Sequence, residues 1–534
     1  MKENKRLLII MPFIVAIIFA AGMFIGKYMA GVGSTDEPYV LYPSPDKLST
    51  IVSYIVEEYV DPVSREELIE KTIPIMLEQL DPHSIYIPAK DLQAVNEPLE
   101  GEFDGIGVQF NIQHDTVVVI NTISGGPSEK LGILPGDRIV TIDDSLFVGP
   151  EISSEGVMKL LRGKSGTVVV VGIKRKGIHD LIFFEITRGK IPLYSVDVAY
   201  MLNDEIGYIK ISKFSRTTYS EFEQAAKTLK KQGMTKVVLD LRGNSGGYMD
   251  AAIKIADEFL NKGKLIVYTK GKAHPKVSSF ATENGMCQDD EVVVLIDEWS
   301  ASASEIVAGA IQDNDRGMIV GRRSFGKGLV QEPMVFTDGS AMRLTIARYY
   351  TPAGRCIQKP YNGNIDDYYG DIGERYLNGE LEHIDTTLFA DSLKYYTPQG
   401  RVVYGGGGIM PDVFVSVDTT GASKLLSNVI SKGLIYKYAF EYVDTNRSVL
   451  TKYEDVYQLL DYLESQNIYR KFIAFVKTKG VKVEEEDVKT SGYIIETQLL
   501  AFICRNIFDN EGYFPIIRRI DEPLIKSVNI LGAN

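Results

Sequence analysis

Serines occupy positions 300, 302 and 304 in the stretch VVVLIDEWSASASEIVAGAIQD, directly after an apolar run, 292–296, that reads as a buried strand. Apolar residues then recur at helical spacing from Ile306 through Ile311. A serine at such a strand-to-helix turn lies beside the unsatisfied N–H groups and positive dipole end of the new helix. That setting stabilises an alkoxide or an oxyanion, so Ser300, Ser302 and Ser304 are all candidate nucleophiles. Ser302-Ala303-Ser304-Glu305 is also an S-x-x-E capping box, a pattern that most often only starts a helix. Lys327, in SFGKGLVQ, lies between two glycines and beside Phe325 and Leu329. Apolar surroundings disfavour the ammonium and move a lysine toward the neutral amine that a general base needs. A Ser–Lys pair substitutes for Ser–His in acyl transfer, although an isolated Gly-Lys-Gly is an ordinary loop. In KVVLDLRGNSGG an apolar strand, 237–241, runs into Gly246-Gly247, where the backbone either approaches a ligand closely or simply turns.

Taken together, SASASEIVAGAIQD and GRRSFGKGLVQ resemble the catalytic core of the C-terminal processing peptidases, the tail-specific serine peptidases with a Ser–Lys dyad. The resemblance runs from about residue 48 to residue 412. It implies that Ser302, the first serine of A-S-A-S-E, is the nucleophile, a choice that spacing alone does not make. It further implies Lys327 as base and Gln331 as the residue that orients it. The D-L-R-x-N-x-G-G loop would lie against the nucleophile and supply an oxyanion N–H from Gly246 or Gly247, with the Ala303 N–H as second donor. No cofactor and no metal are implied.

Other elements must position these groups. The 534 residues have an ordinary globular composition, 45% hydrophobic and 24% charged, and a net charge of -13 that argues against nucleic acid as a partner. Cys287, Cys356 and Cys504 lack C-x-x-C spacing, which suggests neither a zinc site nor a disulfide framework, though one pair can still bridge. Lys2, Lys5 and Arg6 precede an uncharged apolar run, 7–26, of about twenty residues, the length of a membrane-spanning helix. It reads as an uncleaved anchor, with the N-terminus cytoplasmic and the remainder working outside the membrane, in the periplasm or its equivalent. Amphipathic stretches at 48–59 and 65–79 lead into LDPHSIYI. There His83 stands beside Ser84, but Asp81-Pro82 starts a turn, and the resembling family carries a similar stretch as a structural feature. In that family this helical region also contributes to dimerisation, so a homodimer or larger homo-oligomer is expected.

From 101 to about 188 the chain becomes short strands and glycine turns that resemble a PDZ domain. Gly105-Ile106-Gly107 would bind a peptide's terminal carboxylate through backbone N–H groups, and the strand beginning at Val108 would pair with the peptide. Arg162 matches a position where relatives hold a tail-sensing arginine; it equally suits a solvated surface. The expected fold is a crotonase-like α/β peptidase core with an inserted PDZ-like β-rich domain, N-terminal helices and a C-terminal helical region. The expected domains are 1–33, 34–100, 101–190, 191–420 and 421–534. An insertion at 361–404, rich in Asp, Glu, Tyr and Gly, reads as surface and carries a Glu382-His383-x-Asp385 cluster. The function expected is a serine endopeptidase that captures protein or peptide substrates by free apolar C-termini. A catalytically silent PDZ scaffold and an esterase or acyltransferase using the same dyad are the alternatives.

Overall fold

The computed structural model describes residues 11, 15–23, 25, 46–283, 285–383 and 391–532. The chain divides into two units, Met1–Ile73 and Pro74–Asn534. In the first, helix Lys47–Glu58 starts at Asp46, whose side chain accepts from the Ser49 N–H, and Arg65 donates to Ser53 Oγ at 2.9 Å. The anchor expected over 7–26, and with it the inner-membrane, extracytoplasmic location, is overturned. A span needs roughly 20 consecutive apolar helical residues, and among the described residues no helix is long and apolar enough to cross a membrane. The rest of that stretch lies outside the described residues.

The second unit is built on a six-stranded sheet. Strand Val196–Met201 runs antiparallel to Ile206–Ile211; Lys236–Asp240, Glu291–Ile296, Met318–Gly321 and Val413–Phe414 then follow, each parallel to its neighbour. Parallel strands covered on both faces need near-continuous apolar text, which is why 292–296 is buried at every position. Helices Thr218–Lys231, Met249–Asp257 and Ala303–Asp313 supply the main core on one face. The other face is covered from the far end of the chain: Leu524 and Leu531 of helix Glu522–Gly532 pack on Val238, Val293, Leu295 and Val320. Full burial of each such leucine is worth about 1.5–3 kcal/mol.

A second, antiparallel sheet joins Ile85–Ile87, Ala341–Tyr350, Leu265–Lys270 and Val277–Phe280, with Leu329–Val335 also on Ala341–Tyr350. The β-rich domain has its own sheet, with Val108–Gln113 at one end and Ile182–Thr187 at the other, and its own core around Val119, Ile139 and Val171. The C-terminal region is helical as expected. The helix expected at 494–507 is part of a longer one, Glu485–Ile517, broken at Asp509 (φ 53°, ψ −139°). The described residues of the 361–404 insertion are mostly exposed or half-buried, but a few turn inward. The insertion contains helix Ile365–Leu377, on which Tyr368 and Arg375 are buried. None of the three cysteines is bridged.

Candidate active site

Ser302 is the N-cap of helix Ala303–Asp313, and its backbone has φ 55° and ψ −110°. A non-glycine residue held there stores strain of order 1–3 kcal/mol, which the surroundings must over-determine. They do so through burial of every residue of that helix. The neighbouring serines are consumed structurally. Ser300 and Ser304 are fully buried; Ser300 Oγ donates to the Leu241 carbonyl and Ser304 Oγ to the Asn244 carbonyl, both at 2.9 Å. Ser302 is half-buried.

Lys327 Nζ donates to Gln331 Oε1 at 3.2 Å, and Gln331 Nε2 in turn donates to the His83 carbonyl. Burial pushes the Lys327 ammonium below the usual lysine range; Asp81 and Glu305 oppose that shift and Arg343 adds to it.

The backbones of Ser302 and Lys327 are tied together twice. Glu305, fully buried, accepts from the Ser302 N–H at 2.8 Å and the Lys327 N–H at 2.9 Å through Oε2. Its Oε1 accepts from the Gly326 N–H at 2.7 Å and from the Ser324 hydroxyl. Burial raises the Glu305 carboxyl's pKa, against the pull of these hydrogen bonds. On the opposite side the Tyr349 hydroxyl lies 3.0 Å from the Ser302 carbonyl oxygen and 2.7 Å from that of Lys327. Tyr349 is 1% exposed. Reading the sequence found Glu305 only as a helix cap and missed Tyr349. Its one signal was that a tyrosine inside an apolar strand needs a partner for its hydroxyl. Tyr349→Phe keeps the ring and removes the tie. We expect it to cost about 1–2 kcal/mol in urea unfolding and to lower kcat about tenfold through loosened geometry. Unchanged kcat with lowered stability would reduce Tyr349 to packing.

The glycine loop lies against this turn. A methyl group on Gly246 would fall 2.8 Å from Ser302 Cβ and 3.1 Å from the Ala303 nitrogen. One on Gly247 would fall 2.0 Å from the Phe214 carbonyl oxygen. Both glycines have positive φ, 101° and 147°, so glycine is required twice over. Asn244, buried, organises the loop. Its Oδ1 accepts from the Gly246 N–H at 2.9 Å, its Nδ2 donates to the Ile211 carbonyl, and its own carbonyl accepts from the Ala301 N–H. The Gly246 N–H is thus engaged within the loop. Arg242, two residues upstream of Asn244, is clamped by Asp240 and by Asp521 of the C-terminal region.

In the β-rich domain, Gly105, Ile106, Gly107, Val108 and Arg162, with Phe103 and Leu161, line one cavity of about 100 Å³. The Ile106 and Gly107 carbonyls are taken by the Ser128 and Ile123 N–H groups. Arg162 donates to Glu97 Oε2 at 2.8 Å and lies over the Phe103 ring, so it is neither free nor merely solvated. His83, at the turn that Asp81 closes, comes next to the Lys327 site through its carbonyl. Of the Glu382-His383-x-Asp385 cluster, Asp385 lies outside the described residues; among those described, no group of three or more His, Cys, Asp or Glu is placed to hold a metal.

Comparison with known proteins matches 205–368 to peptidase family S41, 105–182 to a PDZ domain, and 425–509 to a family of unknown function, DUF8443. A carboxy-terminal-processing protease of Bartonella bacilliformis is 34% identical over 385 residues, 68% of this chain and 88% of its own length. The carboxy-terminal processing protease CtpB of Bacillus subtilis is 34% identical over 317 residues, 59% of this chain and 65% of its own. Among solved structures, a photosystem II D1 C-terminal processing protease is 26% identical and covers 70% of this chain and 93% of its own, with a TM-score of 0.35. Kinship across nearly the whole of a relative, with the family match spanning both the serine turn and the lysine loop, makes this chain a PDZ-containing serine protease of the C-terminal processing type, in peptidase family S41.

Proposed function

We propose that the protease works through Ser302 as nucleophile and Lys327 as general base. The observation that carries this reading is the double tie of their backbones by Glu305 and Tyr349, with Lys327 desolvated and Gln331 accepting one of its N–H bonds. A neutral amine that donates to Gln331 keeps its lone pair for the serine hydroxyl. Ser302 Oγ attacks the scissile carbonyl carbon as its proton passes to Lys327 Nζ. The tetrahedral oxyanion is received by the Gly247 and Ala303 N–H groups. Collapse expels the amine, which takes the proton from Lys327, and water then hydrolyses the acyl-enzyme.

Substrates enter by their tails. An apolar C-terminal residue fits the cavity at Gly105–Ile106–Gly107, and the end strand Val108–Gln113 offers an unpaired edge for β-augmentation. Within this reading the domains are 34–100, 101–190, 191–420 and 421–534. The test uses one unstructured substrate with an apolar tail, as free carboxylate and as amide, against the full-length chain. Cleavage of the free acid alone is expected. Equal cleavage of both would end the tail-capture reading, and cleavage of neither would favour a silent scaffold.

A further inference from the structure

The insertion that separates strand Ala341–Tyr350 from the turn before Val413–Phe414 reaches the base. Arg375 of its helix, 3% exposed, donates to the Ser324 carbonyl at 2.9 Å and the Phe325 carbonyl at 3.3 Å, in the segment that leads into Lys327. Tyr368, one face with Arg375 and 4% exposed, has its hydroxyl 2.9 Å from His83 Nε2 and 3.0 Å from Gln358 Nε2. Gln358 Oε1 accepts from the Gly328 N–H at 2.8 Å, so its Nε2 faces Tyr368 and donates. The Tyr368 hydroxyl keeps its own proton and a second lone pair, so it pairs with His83 Nε2 in either tautomer. Burial, with Lys327 nearby, pushes the His83 imidazole down to about 3, so it stands neutral. The His83 carbonyl accepts from Gln331 Nε2, and that bond decides which end of the Gln331 amide meets Lys327 Nζ.

We propose that Tyr368 is a positioning residue for the base: the insertion helix, through the Tyr368 hydroxyl, holds the His83 imidazole and so fixes that residue, whose backbone carbonyl holds the Gln331 amide, and Gln331 aims the Lys327 amine. The proposal rests on Lys327 acting as base. It assigns the 361–404 segment a task inside the site, where its polar composition had suggested a surface role.

The test is a cycle of variants in the full-length chain, read as kcat and KM on a free-carboxylate substrate. Tyr368→Phe is expected to lower kcat about tenfold with KM unchanged, since misaimed catalytic groups cost rate and not tail capture. In a Gln331→Ala background the same change is expected to cost nothing further, because the relay is already cut. Two histidine variants carry the test if Tyr368→Phe fails to fold. His83→Gln keeps an acceptor near Nε2 and is expected to retain most of kcat, whereas His83→Leu loses about tenfold. Wild-type kcat in Tyr368→Phe, an equal loss in the Gln331→Ala background, or His83→Gln no better than His83→Leu would each overturn the proposal. Lys327→Ala separates the two levels. If it retains turnover, the base assignment fails and the proposal with it; if it is inactive while Tyr368→Phe is unimpaired, only the positioning role fails.

Discussion

Ser302→Ala and Lys327→Ala are each expected to lower kcat by about 10⁵-fold, with no further fall in the double variant, as for residues that act as one unit. Lys327→Arg should be equally inactive if Lys327 is the base. A guanidinium keeps the positive charge but cannot be deprotonated at any working pH, so it preserves an ion and removes a base. The pH dependence follows the same logic. Burial lowers the Lys327 pKa, and a lysine base is competent as the unprotonated amine. In wild type, kcat is therefore expected to rise with pH through that lowered pKa and to fall tenfold per unit below it. Turnover by Lys327→Arg, or a flat wild-type profile on the acid side, would mean that the lysine acts as a fixed cation and that another group takes the serine proton. The nucleophile would still be Ser302 in this reading, because Ser300 Oγ and Ser304 Oγ are buried and already donate to backbone carbonyls.

The parts of this site legible in the sequence are those whose demands are local. Gly246-Gly247 is readable because a side chain at either position meets backbone or Ser302 itself, and the strand at 292–296 because both faces are covered. Glu305 was readable as a cap, since its bond to the Ser302 N–H spans three residues. Its bonds to Ser324, Gly326 and Lys327 span 19 to 22 residues, and no periodicity reports a partner at that distance. Tyr349 and Tyr368 were hidden for the same reason. Spacing tells which face a residue occupies, not what its hydroxyl will meet. The insertion's polar composition hid its buried residues. Arg375 counts as polar text, yet it is buried because backbone carbonyls take its guanidinium, the condition under which a charge can leave water. The anchor read from hydropathy at 7–26 is overturned in a different way: among the described residues no helix is long and apolar enough to cross a membrane.

Gly247→Ala is expected to lower kcat by about 10²–10³-fold, the usual effect of losing one oxyanion donor. The cause is steric before it is electrostatic. The new methyl would meet the Phe214 carbonyl oxygen at 2.0 Å, and a φ of 147° suits no side chain. The loop must therefore move, carrying its N–H away from the place where negative charge develops. The loop cannot substitute a neighbour, because Gly246 already donates its N–H to Asn244 Oδ1. Its base is also fixed, by Arg242 between Asp240 and Asp521, so the shift stays next to Ser302. A general loss of structure would lower every function together, and two binding measurements separate that outcome. Affinity for a peptide boronate, whose tetrahedral adduct presents an oxyanion, should fall as far as kcat. Affinity for a free tail peptide at the Gly105–Gly107 cavity should not change, because that site has its own sheet and core. Boronate affinity held at the wild-type level while kcat drops would remove Gly247 from the oxyanion hole. The second donor would then have to be sought elsewhere along the start of helix Ala303–Asp313, where the unpaired N–H groups and the dipole both favour an anion.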